Sequence, residues 1–270
     1  MRRFTSVLCI IPKNFEKIEK RKGKSKNTHY YNRLSREEFD SFTPKVLGIG
    51  DISAEGSFVQ CLVAFFDLEG FSDFSLQPES HLVIPEFLSR YLEWLFATLR
   101  KEFTETSNKT HVDIWGGLPF FAKFMGDGIM LLWDTSNIIG KGGIHNTIHT
   151  LSVVTKAYES EFLKTIRKQI SKPPKHLRFG IARGQAVSVG GGLDYVGPCI
   201  NIASRLQKLS TLSFVVSRRG VDIFEESDLG KILMVVKTSI RSIGEEELVY
   251  VLKNEFEGLP SEQKKFFEVV

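Results

Sequence analysis

Residues 122–134, AKFMGDGIMLLWD, set two apolar runs on either side of Gly126-Asp127-Gly128. The pattern predicts a tight β-hairpin with a carboxylate at its tip. A second carboxylate, Asp67, closes the apolar run QCLVAFFD, which Glu69-Gly70 then breaks. A third polar cluster fills residues 190–207, GGGLDYVGPCINIASRLQ. Singly, each is weak: an Asp-Gly turn is usually turn chemistry alone, and Asp67 reads equally well as a loop cap. The combination is more specific. Two carboxylates at neighbouring strand ends either repel or share cations, and hard oxygen ligands suit Mg²⁺ or Mn²⁺. Such a pair is the donor set of a two-metal site for phosphoryl chemistry.

The elements that must position these groups follow from periodicity. The run from Val59 to Asp67 has strand length and the apolar density of a buried central strand. Phe87, Leu88, Tyr91, Leu92, Leu95, Phe96, Leu99 and Phe103 fall at helical spacing, predicting a helix over 85–103 with Pro85 in its first turn. Strands over 119–124 and 129–133 make the hairpin. A Gly-rich loop from Gly140 leads into a helix over about 146–169, stopped by Pro173-Pro174. A strand pair follows at 177–181 and 186–189, then a short helix over 200–208 and a strand over 213–217. A closing hairpin spans 232–238 and 247–252. This order predicts an α/β (α+β) fold of the ferredoxin-like, split βαβ kind. There the first strand and the hairpin are neighbours, so Asp67 and Asp127 project from adjacent strand ends.

These stretches resemble the class III nucleotidyl cyclases. FFDLEGFSDFS resembles their F-x-D-[IL]-x-G-F-[ST] motif, and AKFMGDGIM their K-x-x-G-D hairpin. FGIARGQAVSVGGGLDYVGPCINIASRL resembles the G-I-x-x-G segment running into D-[YF]-x-G-x-x-[VI]-N-x-A-[AS]-R-L. One departure is Ala182, where relatives often carry His. The resemblance implies that Asp67 and Asp127 hold two divalent cations, Mn²⁺ favoured over Mg²⁺, with the Leu68 carbonyl assisting. It implies that Asn201 positions the ribose and Arg205 meets charge on the α-phosphoryl oxygens. Phe71 is expected to pack beside the nucleotide, and Lys123 and Asp194 to read its base. In such enzymes the Asp pair comes from one chain and Lys, Asp, Asn and Arg from its partner, so a homodimer with shared sites is implied. The family catalytic domain is expected over 56–217, with 1–55 a basic, irregular extension and 218–270 adding strands that complete the fold. No expected catalytic position is lost, which argues against a silent nucleotide-binding module.

Lys123 donates and Asp194 accepts, which matches adenine, but uracil and cytosine also offer a donor and an acceptor. The wording GDGIMLLWD and DYVGPCINIASRLQ resembles the stand-alone pyrimidine cyclases of Pycsar antiviral defence. That likeness implies UTP as substrate, with ATP or CTP as alternatives, and a cyclic-nucleotide-responsive effector as indirect partner. Composition is ordinary for a globular protein: 270 residues, 42% hydrophobic, 25% charged, net charge +4. The basic run at 17–26 reads as a solvated, mobile arm; few aromatics lie near it, so no nucleic-acid partner is expected. There is no P-loop and no HRD/DFG pair. Cys9, Cys61 and Cys199 lie far apart in sequence, suit a reducing compartment and predict no disulfide framework. No apolar run approaches membrane-spanning length, no signal peptide is read at the start, and a cytoplasmic, membrane-free protein is expected.

Overall fold

The computed structural model describes residues 16–21, 28–33, 36–41, 43–136, 140–209 and 212–270; Cys9 and positions 22–26 of the basic run lie outside them. Contacts divide the chain into two units, Met1–Ser57 with Val187–Val196, and Phe58–Ala186 with Gly197–Val270. In the first unit, Glu16–Arg21 pairs antiparallel with Thr28–Arg33, so the start of the basic run is strand. In the same unit Asp194–Val196 pairs antiparallel with residues 187–189. The Gly-rich turn between them is not slack. Gly190 has φ +61°, and a Cβ there would stand 1.4 Å from the Ile49 carbonyl oxygen, so only glycine fits.

The second unit is built on a mixed sheet. Its strands are β1 (Phe58–Glu69), β2 (Phe121–Phe124), β3 (Ile129–Asp134), β4 (His176–Val189, of which residues 176–186 belong to this unit), β5 (Phe214–Ser217), β6 (Leu233–Ile240), β7 (Gly244–Leu252) and β8 (Phe267–Val269). Their spatial order is β8-β6-β7-β5-β4-β1-β3-β2, which puts the apolar run before Asp67 near the middle, as its composition requires. β1 and β3 run antiparallel with Phe66 opposite Ile129, while β5 runs parallel to β4. The closing hairpin is β6 and β7, two of the additional C-terminal strands.

Helices cover both faces of β1. Leu62, Ala64, Phe66 and Leu68 point into the main core, where α1 (Ser80–Phe103) contributes Phe87, Tyr91 and Leu95 and α2 (Gly140–Ala157) contributes Ile148, Leu151 and Val154. The alternate residues Cys61, Val63 and Phe65 are buried on the other face. There α3 (Pro198–Leu206) packs on β1, and the Cys61 and Cys199 sulfurs meet at 3.9 Å as free thiols. The fold thus joins two cysteines that are distant in sequence.

Several boundaries differ from expectation. α1 begins at Ser80, so Pro85 sits inside the helix; Glu79, with φ +60°, makes the turn that starts it. α2 begins at Gly140, within the expected Gly-rich loop, and ends sooner, in a π-helical turn at Tyr158–Leu163 that keeps Tyr158, Phe162 and Leu163 buried. The expected strand pair at 177–189 is one continuous strand, β4. Arg183 sustains it in its polar middle, donating to Thr135 Oγ1 at 3.3 Å and the Gly220 carbonyl at 3.0 Å. A small hairpin, Thr104–Ser107 with Val112–Ile114, had no clear pattern in the sequence. No helix among the described residues is long and apolar enough to cross a membrane.

Candidate active site

Alternation along β1 fixes the direction of Asp67. It follows Cys61, Val63 and Phe65 on the odd-numbered face, so its carboxylate emerges on the side of α3 while Leu68 anchors the strand in the core. The hairpin tip is pressed against this strand end. A Cβ on Gly128 would lie 2.5 Å from the Phe66 carbonyl oxygen and 3.9 Å from the Asp67 Cα. Gly126 takes φ +98°, which the mirror-image hairpin turns demand, and the Met125 N–H donates to the Gly128 carbonyl at 2.8 Å. The two glycines therefore leave Asp127 at the tip beside Asp67.

The charge of Asp127 acts on Asp67. Partial burial raises the Asp67 pKa above the ordinary carboxylate value and the charge of Asp127 raises it further; Lys208 and Arg178 oppose the rise. Arg178 is itself committed to an ion pair with Glu69. No group of three or more His, Cys, Asp or Glu among the described residues could hold a metal. Two carboxylates and a strand carbonyl are a hard, incomplete donor set. They fit a Mg²⁺- or Mn²⁺-type cation that takes its remaining ligands from water and phosphate oxygens.

α3 supplies the opposite wall. Cys199, Ile202, Ala203 and Leu206 fall at i, i+3, i+4 and i+7 and are buried against the sheet, which turns Asn201 and Arg205 outward. α3 seats directly on Gly180 of β4, where a Cβ would stand 2.0 Å from the Ala203 carbonyl oxygen. The result is a cleft of about 720 Å³ lined by Asp67, Asp127, Asn201 and Arg205 together. Lys208 and Arg219 also line it, and sequence reading passed over both. Lys208 is three residues after Arg205, and that spacing was its available signal; Arg219 follows β5 in a loop, with no such signal. Arg219 is held by Glu247, to which its Nε donates at 2.8 Å.

Phe71 and Lys123 are not among the residues lining this cleft. Phe71 is half-buried and leans edge-on against Phe74 at 5.7 Å between ring centres, so part of its surface serves the core. Lys123 stands half-buried on β2, opposite Met130 in the register. Asp194 belongs to the other unit, where its carboxylate accepts from the Tyr195 N–H at 2.9 Å.

This arrangement of sheet, hairpin and helix recurs in solved structures. The adenylyl cyclase CyaB from P. aeruginosa superposes with a TM-score of 0.55 at 19% identity, over 74% of this chain and 96% of that one. The guanylyl cyclase Cya2 does so with a TM-score of 0.53 at 14% identity, over 74% and 94%. The fold is that of class III nucleotidyl cyclase catalytic domains. The expected split βαβ architecture is therefore found. The chain matches no family model and no curated protein sequence. The cyclase fold alone does not choose a base, since these two neighbours are named for different ones.

Proposed function

We propose that this chain is a nucleotidyl cyclase that converts a nucleoside triphosphate into its 3′,5′-cyclic monophosphate and pyrophosphate. The observation that carries this reading is a single cleft, on a cyclase fold, that holds an acidic pair on one wall and Asn201 with Arg205 on the other. The Ser204 hydroxyl donates to the Asn201 backbone carbonyl at 2.9 Å, but among the described residues the Asn201 side-chain amide and the Arg205 guanidinium make no hydrogen bond or ion pair, so both remain available to a ligand.

Asp67 and Asp127, with the Leu68 carbonyl, would hold two divalent cations, Mn²⁺ favoured. When bound, these supply positive charge that acidifies the ribose 3′-hydroxyl and offsets charge on the departing pyrophosphate. Asn201 orients the ribose so that its 3′-oxygen faces the α-phosphorus. The 3′-hydroxyl gives up its proton to solvent water, its oxygen bonds to the α-phosphorus, and the bond from that phosphorus to the bridging β-phosphate oxygen breaks, releasing pyrophosphate. Arg205 meets the negative charge that grows on the α-phosphoryl oxygens, with a planar donor fork suited to them. Lys123 and Asp194 are the base readers and Phe71 flanks the nucleotide.

The favoured substrate is UTP. This rests on likeness in wording to stand-alone pyrimidine cyclases of antiviral defence, in which the cyclic nucleotide activates an effector. We further infer a homodimer with shared sites. A two-fold interface requires each chain to present both halves of the site, and this cleft presents both. The test is to incubate the purified protein with equimolar ATP, GTP, CTP and UTP plus Mn²⁺ and identify products by mass spectrometry. Mainly cUMP or cCMP supports the pyrimidine reading. Mainly cAMP replaces it with an adenylate cyclase that uses Lys123 and Asp194 as an adenine reader. No cyclic product overturns the cyclase reading.

A further inference from the structure

The cleft contains a cation whose part in the reaction no motif assigns. α3 lies along β1 with its start beside the start of that strand, because Cys199 Sγ and Cys61 Sγ meet there at 3.9 Å. Asp67 stands six residues along β1, about 20 Å further on at strand spacing. β4 lies antiparallel beside β1, since the Lys175 N–H donates to the Glu69 carbonyl at 3.1 Å and the Ser188 N–H to the Ser57 carbonyl at 3.0 Å. Gly180, on which Ala203 and Gln207 sit, is therefore further along β1 than Cys61. α3 thus travels the same way: Asn201 lies about 3 Å past Cys199 and Arg205 about 9 Å at helical rise, and Lys208 follows in the turn that closes the helix, its N–H donating to the Arg205 carbonyl at 3.1 Å. The helix end is pinned on the same sheet, since a Cβ on Gly180 would also lie 2.4 Å from the Gln207 amide nitrogen. Of the three outward residues, Lys208 therefore reaches furthest toward the Asp67 end of its own chain. Its ammonium is one of the cations whose charge acts on Asp67. It is exposed and lines the same cleft, and among the described residues no ion pair restrains it.

We propose that Lys208 binds the β- and γ-phosphate oxygens of the nucleotide held at the acidic pair of its own chain. It thus belongs to the opposite half-site from Arg205. This rests on the cyclase reading with shared sites. A compact ammonium on a flexible stem suits terminal phosphates, which carry the most charge and leave as pyrophosphate.

The test combines kinetics, binding and mixed dimers. Lys208→Ala should raise KM for the preferred triphosphate and lower kcat/KM by about 10- to 100-fold, the scale of one charge-assisted contact. Lys208→Arg should restore most of it. Binding of inorganic pyrophosphate in the presence of Ca²⁺, measured by calorimetry, should weaken by about tenfold or more in Lys208→Ala. Mixing then assigns the half-site. Lys208→Ala chains mixed with Arg205→Ala chains should recover activity, because one hybrid site draws Lys208 and the Asp pair from one chain and Arg205 from the other. Mixing with Asp127→Ala chains should give no recovery. The reverse pattern, or recovery with neither, overturns the assignment, as does unchanged kcat/KM in Lys208→Ala. A wild-type protein without cyclase activity overturns the cyclase reading instead, a result distinct from any of these.

Discussion

Asp67 is a carboxylate whose surroundings work against its charge. Burial and Asp127 both disfavour ionisation, so the folded chain holds the proton more tightly than the unfolded chain does. Between the ordinary carboxylate pKa and the raised one, the folded state binds more protons, and stability falls as pH rises through that window. Asp67→Asn should therefore melt at a higher temperature than wild type at neutral pH without divalent cation. The difference should shrink as pH drops below the raised pKa. Adding Mn²⁺ should raise the melting temperature of wild type and leave Asp67→Asn nearly unmoved, because a ligand stabilises only the state that binds it. A thermal-shift titration over pH and metal checks both. Asp67→Ala or Asp127→Ala should cut turnover by about 10³-fold or more while leaving the fold intact, since neither side chain belongs to the core. These two residues were legible because each ends an apolar run at a glycine-marked turn. Lys208 was not, because an exposed lysine just past a helix end is ordinary; its spacing from Arg205 hints at the site, but only the seating of α3 along β1 gives it a direction.

At the scale of elements, the site depends on close backbone approaches that glycine permits. Gly180→Ala would place a methyl group 2.0 Å from the Ala203 carbonyl oxygen, and that backbone must move. We expect a loss of about 1–3 kcal/mol in stability, as for overpacked cores, measured by chemical denaturation. The accompanying loss of activity should exceed what that destabilisation explains, because the displaced helix carries Asn201 and Arg205. The strands and their order were readable from apolar runs and turn residues. The helix ends were not. Glycines such as Gly142 and Gly143 disfavour helix locally, yet the buried stripe of Ile148, Leu151 and Val154 rewards a helix that begins before it. The π-helical turn at Tyr158–Leu163 breaks the 3.6-residue period on which sequence reading relies. β4 looked like two strands because Arg183 interrupts its apolar pattern, and its distant partners Thr135 and Gly220 are invisible to local spacing.

At the scale of the whole molecule, the question is why one cleft presents two chemically opposite walls. The acidic pair is fixed by β1 and the hairpin; Asn201 and Arg205 are fixed by a separate helix that packs on the same strand. If two chains close their clefts on each other about a two-fold axis, each site takes its acidic pair from one chain and its Asn201 and Arg205 from the other. Asp127→Ala and Arg205→Ala chains, each inactive alone, should then restore activity when mixed. Random pairing makes half the dimers mixed, and each mixed dimer holds one complete site of two, so recovery should reach about a quarter of wild-type activity per chain. A site complete within one chain gives a different result, because every Asp127→Ala chain and every Arg205→Ala chain stays defective whatever its neighbour. Recovery near a quarter, with mixed dimers shown by native mass spectrometry, supports the shared site. Absence of recovery, with the same mixed dimers present, means that the two walls of this cleft serve one substrate within one chain.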